Sequence, residues 1–236
     1  MTDYELYYWS APFRGQFVRA VLAFAGQSWS EAGDGAIAKL MKGPPSKMPV
    51  PFMGPPLLVD RKRYVAIAEM PAIVLYLSET LDLFPETPAL RAMTMKIVCD
   101  ANDVLDELTL DGGRQMWTEK RWKEFVPRLK KWMSLFEETG RRHGLRTGSG
   151  FLLGGSEPGI ADVVTATLWS TMTDRFAVIG RIFEKSAPMT AALTHRVAAL
   201  PPLVRLAEKA REDYGDTWCG GRIEASLRKI LDGARR

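Results

Sequence analysis

The feature that most constrains this chain is a change of hydrophobic period near Pro88. Ahead of it, short aromatic or β-branched runs alternate with stretches of helical spacing. Behind it, every apolar stripe recurs at the spacing of a helix. The two patterns ask for different packing, so the chain is expected to divide. Residues 1–83 form a mixed α/β unit and residues 84–236 an all-helical one, with Phe84-Pro-Glu-Thr-Pro88 as the break. A length of 236 residues suffices for two modest domains.

In the first unit, Tyr4 to Trp9 has strand character. Phe17, Val18, Val21, Leu22 and Ala25 follow helical spacing, with Gly26 placed to end that helix. Gln27 to Ala32 reads as a short second strand. Leu57-Leu-Val59 and Tyr64-Val-Ala-Ile67 flank the polar turn Asp60-Arg-Lys-Arg63, as in a hairpin. Met70 to Leu81 is a helix that tolerates Pro71 in its first turn. Between these pieces, residues 43–56 carry Pro44, Pro45, Pro49, Pro51, Pro55 and Pro56. That segment can be neither a regular helix nor a central strand, and it reads as an ordered loop inside the unit. The order β-α-β, a connection, then β-β-α resembles a thioredoxin-like domain.

The second unit reads as a helical bundle. Met93, Ile97, Ala101, Val104 and Leu108 make one stripe; Ile160, Val163, Val164, Thr167, Leu168 and Met172 make another. Shorter helices are expected near 186–199, 202–213 and 222–232. The densest basic stretch, Lys120 to Lys131, is interleaved with Trp122 and Trp132. Basic residues among aromatics suit a nucleic-acid surface. Here, however, Trp122, Phe125, Leu129, Trp132 and Phe136 share one helical face. The tryptophans therefore belong to the core and the cations to a solvated side, and no nucleic-acid partner is expected.

Several other classes are disfavoured. No apolar run approaches the roughly 20 residues of a membrane helix, so no membrane partner is expected. The acidic start is unlike a secretory leader, and Cys99 and Cys219 form no CxxC motif. A cytoplasmic location is the expectation. The isolated His143 and His195 read as surface residues and assemble no triad. There is neither a phosphate loop nor an HExxH metal motif. The reactive group is therefore expected to come with a cosubstrate.

Met53-Gly-Pro-Pro-Leu-Leu-Val-Asp60 is the informative segment. A proline leading straight into a strand suits a cis bond; Pro55 would then offer its carbonyl to a ligand. Next, Glu69-Met70-Pro71 opens a helix whose free N–H groups welcome a carboxylate, while the Glu69 side chain suits an ammonium. Glu69 is equally readable as an ordinary helix-starting acid.

These motifs, in this order, resemble the cytosolic glutathione transferases of tyrosine type, sigma- or pi-like. The resemblance implies a thioredoxin-like N-terminal domain joined to an all-α bundle. It implies glutathione as cosubstrate and a small hydrophobic electrophile as second substrate. Pro56 sits where the family has its cis-proline. Glu69-Met70 replaces a Gln/Glu-Ser pair, losing one hydroxyl contact but keeping a backbone N–H. Lys47 resembles the lysine that meets the glycyl carboxylate. Asp103, in Asn102-Asp103, matches an aspartate that reaches the glutamyl ammonium of a partner subunit, which implies a homodimer. Gly159-Ile-Ala-Asp162 resembles the family's capping signature with glycine in place of the hydroxyl residue.

The same resemblance implies a hydroxyl that stabilises the glutathione thiolate. Tyr8-Trp9, with Arg14-Gly15 after it, is similar to the tyrosine-type pattern, although the gap is longer. Trp9-Ser-Ala-Pro-Phe13 is similar to the serine-type pattern, with Ser10 one residue early. Tyr8 is therefore the expected catalytic residue, and Tyr7 would face the other side of the strand. The electrophile would lie between the loop Ala11–Arg14 and the bundle. Asp103, Asp106 and Glu107 resemble an acidic run that binds a divalent cation in some sigma-class members. A solvated helix face is the preferred reading, and no metal is assigned. The rivals are a non-catalytic glutathione-binding or interaction module, and a glutathione-dependent isomerase or lyase.

Overall fold

The computed structural model describes residues 2–233. Four strands form one mixed sheet: β1 (Tyr4–Tyr7), β2 (Trp29–Glu31), β3 (Leu57–Asp60) and β4 (Val65–Ala68), in the order β2-β1-β3-β4. β1 runs parallel to β2 and antiparallel to β3, and β3 pairs with β4 as a hairpin. The parallel pair needs a crossover, which α1 (Phe13–Phe24) supplies. The side chains of β1 alternate: Tyr4 and Leu6 are buried, whereas Glu5 and Tyr7 are half-buried.

The proline-rich connection contains a helix that the sequence reading omitted, α2 (Asp34–Lys42). Gly33, at φ +76°, starts it, and Ile37 is its one fully buried residue. With so narrow an apolar face and two glycines at its start, its hydrophobic period is faint. The prolines then run through a short 3-10 turn at Pro45–Lys47 into β3. The helix α3 (Met70–Thr80) closes this half of the fold.

The rest is helical: α4 (Pro88–Leu108), a single turn α5 (Leu110–Gly113), α6 (Glu119–Arg142), α7 (Ile160–Thr173), α8 (Ala177–Ser186), α9 (Pro188–Ala198), α10 (Pro201–Tyr214) and α11 (Gly221–Gly233). α7 is the central post. Twelve of its fourteen residues are buried, the pattern of a helix surrounded by others. Asp162 takes the place of the missing hydroxyl cap, accepting the Gly159 N–H at 2.9 Å and the Leu152 N–H at 2.7 Å. Trp169 stacks on Phe183 of α8 at 4.8 Å and meets Phe136 of α6 edge-on at 5.6 Å. On α6, Trp122, Leu129 and Phe136 are buried, as their spacing requires. Arg128, in the basic stretch, is paired with Glu107 of α4. His195 is exposed, and His143 is half-buried with its Nδ1 2.8 Å from the Thr139 carbonyl. The sequence reading also passed over α8, whose Ile179 and Phe183 are its buried pair.

Candidate functional site

Three strands end in register at one edge of the sheet. Tyr7 of β1 lies opposite Leu57 of β3, which lies opposite Ala68 of β4. One step beyond these residues are Tyr8, Pro56 and Glu69. Three of the sequence-derived candidates thus converge at one end of the sheet. The Pro55–Pro56 peptide is cis. The Pro56 carbonyl accepts the Glu69 N–H at 3.2 Å. Glu69 adopts φ +74°, a region that non-glycine residues enter rarely, and its side chain is exposed at the start of α3. Met70, 0% exposed, packs into the core. Of Met70, only the backbone N–H is placed to serve a ligand.

Tyr8 is 5% exposed. Its ring lies over Gly15, and its hydroxyl oxygen accepts the Arg14 N–H at 3.1 Å. Burial pushes the phenol up to about 12, against the opposing charge of Arg14. A phenol that weakly acidic keeps its proton across the neutral range. With one lone pair engaged by Arg14, its O–H remains a donor. Arg14 is itself anchored to α4: its Nε donates to Asn102 Oδ1 at 2.9 Å, and its Nη2 lies 3.6 Å from the Asp106 carboxylate. The guanidinium also covers the Phe13 ring at 4.8 Å. From beneath, the buried Arg19 pairs with Glu31 at 2.8 Å and donates to the Ala11 carbonyl at 3.0 Å. The loop between β1 and α1 is therefore held on two sides.

Ser10, the alternative hydroxyl, is tied elsewhere. Its N–H and Oγ donate to Asp34 Oδ1 at 2.8 and 3.1 Å, at the start of α2. Lys47 is exposed and lines an open groove of about 800 Å³ with Tyr7, Lys39 and Lys42. Asp103 faces solvent on α4, next to the Asn102 that holds Arg14. Partial burial and the nearby Asp100, Glu107 and Asp106 carboxylates raise its carboxyl pKa. Glu107 is taken up by Arg128 and by the Trp132 Nε1–H at 3.1 Å. Among the described residues, no group of three or more His, Cys, Asp or Glu side chains could hold a metal ion.

A segment near the end of the chain closes over this region. The Trp218 carbonyl accepts the N–H of Phe13, a residue at φ +29°. The Trp218 ring meets Phe13 edge-on at 5.1 Å. Glu224 of α11 holds the segment in place. Its buried carboxylate accepts the N–H groups of Trp218, Cys219 and Gly220 at 3.0, 2.9 and 2.6 Å. Cys219 lies near enough to Tyr8 for the two groups to interact electrostatically, and burial pushes its thiol up to about 12.

Residues 93–230, more than half of the chain, match the family model described as glutathione S-transferase, C-terminal domain. The chain belongs to the glutathione S-transferases. A comparison with curated proteins gives no match. Among solved structures, the glutathione S-transferase of Ascaris lumbricoides is 23% identical, with 88% of this chain and 97% of that one covered and a TM-score of 0.70. A nu-class enzyme from Haemonchus contortus is 21% identical over 89% and 98%, at a TM-score of 0.66. Na-GST-3 of the hookworm Necator americanus, described as monomeric, is 21% identical over 88% and 97%, at 0.69. These likenesses establish the shared fold.

Within this glutathione S-transferase fold, the sequence reading singled out Tyr8, Pro56 and Glu69 but missed their supports. Arg14 was noted only as part of a pattern. Asn102 and Asp106 were noted as the neighbour of Asp103 and as part of an acidic run, not as the anchors of Arg14, and the cover formed by Trp218, Cys219 and Glu224 was missed. The one local signal for that cover was a tryptophan and a cysteine followed by Gly220-Gly221, just ahead of the last amphipathic helix.

No helix of the described residues is long and apolar enough to cross a membrane.

Proposed function

We propose that this protein conjugates the thiolate of glutathione to a small hydrophobic electrophile. Residues 1–83 would hold the tripeptide and residues 84–236 would supply the wall of the electrophile site. One observation carries this reading in a chain of this family: a buried, strongly basic phenolate position, Tyr8, stands beside cis-Pro56 and Glu69. A glutathione thiol has the ordinary thiol pKa of about 8.5. The Tyr8 phenol, at about 12, is the weaker acid, so it keeps its proton and donates a hydrogen bond to the thiolate. The thiol proton goes to solvent. The sulfur then forms a bond to the electrophilic carbon, and positioning and ionisation lower the barrier.

The glutamyl end would sit at the start of α3. Its carboxylate would meet the Met70 N–H and its ammonium the Glu69 side chain, joined by Asp103 of a second subunit in a homodimer. The Pro55 carbonyl would face the tripeptide backbone, and Lys47 the glycyl carboxylate. The electrophile would lie between Ala11–Arg14, α4 and the Trp218 segment, in a cytoplasmic enzyme. Calorimetric titration with reduced glutathione tests the site. Saturable binding that weakens at least about tenfold in Lys47→Ala and in Glu69→Ala supports it, each having lost a charge-assisted contact. Absence of binding at millimolar glutathione would sink it.

One observation favours a second reading, a non-catalytic glutathione-binding module: Tyr8 is nearly enclosed, with Cys219 close by. In that case glutathione binds without turnover of any electrophile. Recovery of unchanged glutathione beside a rearranged substrate would instead identify an isomerase.

A further inference from the structure

Among the described residues, Arg19 of α1 is the only basic side chain that is buried, at 3% exposure. A buried ion pair is often no more stabilising than apolar side chains of similar volume. Stability alone therefore gives little reason for a cation at this place in the helix. The buried acids serve the fold by accepting backbone N–H groups, as Asp60, Asp162 and Glu224 do. Arg19 instead spends its charge on the surroundings of Tyr8.

The guanidinium is engaged along its edges and over its face. Nε and Nη2 donate side by side to the two oxygens of Glu31 in β2, at 2.8 and 3.1 Å, a bidentate geometry that lysine cannot make. Nη1 donates to the Ala11 and Pro12 carbonyls at 3.0 and 3.4 Å, in the loop between β1 and α1. The guanidinium carbon also lies 5.7 Å from the centre of the Tyr8 ring and 5.3 Å from that of Tyr214 on α10, both within cation–π range. Glu31 is fixed in turn by the Trp29 Nε1–H at 2.8 Å. One planar group thus bears on the ring of Tyr8 and on the loop whose Arg14 N–H meets the Tyr8 oxygen. Burial is the largest influence on the Tyr8 phenol and makes it a weaker acid, while Arg14 and Arg19 pull against it. A cation beside a phenol stabilises negative charge on the oxygen and so strengthens the O–H as a donor.

We propose that Arg19 is a positioning residue for Tyr8: anchored on Glu31, it fixes the phenol ring and the Ala11–Pro12 loop so that the hydroxyl is aimed at the glutathione sulfur. The inference rests on Tyr8 serving that thiolate. Arg19 acts through Tyr8 and has no contact of its own with the thiol. Tyr214 carries the same stack into the helical bundle, so the aim of the hydroxyl depends on both halves of the chain.

The test combines conjugation kinetics, glutathione affinity by calorimetry and ultraviolet titration of the bound thiol in Arg19→Met, Arg19→Lys and Glu31→Gln. Methionine removes the charge, lysine keeps the charge without the fork, and glutamine leaves Trp29 an acceptor but dissolves the ion pair. In Arg19→Met, turnover should fall about tenfold or more and the bound thiol should titrate about half a pH unit higher or more, with glutathione affinity changed by less than about threefold. Arg19→Lys and Glu31→Gln should shift the titration the same way by less, and these two decide the matter if Arg19→Met does not fold. In a Tyr8→Phe background none of the three should move the bound thiol further, because the path runs through one hydroxyl. A shift in Tyr8→Phe with wild-type titrations in all three variants would overturn the role of Arg19 and leave Tyr8 standing. So would shifts that add in full to that of Tyr8→Phe, or glutathione affinity lost in step with turnover, the mark of a merely loosened fold. An unchanged bound thiol in Tyr8→Phe itself would instead sink the conjugation reading, and this inference with it.

Discussion

The placement of Tyr8 can be tested without touching Tyr8. A Cβ built on Gly15 would lie 2.3 Å from Tyr8 Cδ1 and 2.5 Å from Cγ. Carbon atoms pack at about 3.5 Å or more, so in Gly15→Ala the ring must retreat by roughly 1.2 Å. It has little space to do so, being 5% exposed. Over-packing of this kind costs about 1–3 kcal/mol, and alanine in a helix recovers about 1 kcal/mol relative to glycine. The net loss is about 0–2 kcal/mol, a fall in melting temperature of no more than about 8 °C for a chain of this size. The catalytic effect should be larger, because a displacement of about 1 Å can cost ~100-fold in rate. The assay is conjugation of glutathione to a dinitro-substituted aryl chloride, followed by absorbance. Turnover should fall about 100-fold while glutathione affinity, which the proposed contacts of Lys47 and Glu69 would set, changes by less than about threefold. In a Tyr8→Phe background the same substitution should do little more, since both act through one hydroxyl. A Gly15→Ala protein that keeps turnover within about twofold of wild type would refute the reasoning, because 2.3 Å leaves the ring no choice but to move.

Two further substitutions probe the supports. Glu224→Ala removes a buried acceptor of three N–H groups and breaks the Glu224–Arg228 ion pair, and it should cost about 3–5 kcal/mol on denaturant unfolding by leaving those three donors without their acceptor. It should also free Phe13 and depress turnover; stability within about 0.5 kcal/mol of wild type would show that the cover over Phe13 is not held this way. At the hairpin, Asp60 accepts the Tyr76 hydroxyl at 2.7 Å and the Arg63 N–H at 2.9 Å. Although burial opposes it, these bonds hold the carboxyl below its ordinary value. The folded pKa is the lower one, so the stabilisation is fully present above the unfolded value of about 3.9 and is lost as pH falls through the folded value. Asp60→Asn should therefore lower stability by about 1–3 kcal/mol at pH 7 and flatten the acid limb of the stability curve; an unchanged acid limb would place that titration on another group.

Much of the fold was legible because it rests on local periods. Trp122, Leu129 and Phe136 announce the buried face of α6, and Leu57-Leu-Val59 and Tyr64 to Ile67 bracket the hairpin. α2 was not legible, because its segment begins Asp34-Gly35 and buries only Ile37 fully. The candidate site was legible where it follows the chain: Pro56 leads into β3, Glu69 opens α3, and Tyr8 directly follows β1. It was illegible where the chain folds back on itself. Arg14 meets Asn102 and Asp106, and Phe13 meets Trp218, across spans that no hydrophobic period can report. Met70 shows the reverse. Its place in the motif was evident, but its side chain is in the core, so only the backbone N–H remains for a ligand.

The central claim is that Tyr8 stabilises a bound glutathione thiolate, and the direct test is the ultraviolet absorbance of that thiolate against pH. In the wild-type complex the thiol should titrate well below its free value of about 8.5. In Tyr8→Phe the midpoint should move to higher pH by about one pH unit or more, with glutathione still bound. Identical titrations of the bound thiol in the two proteins would contradict the account.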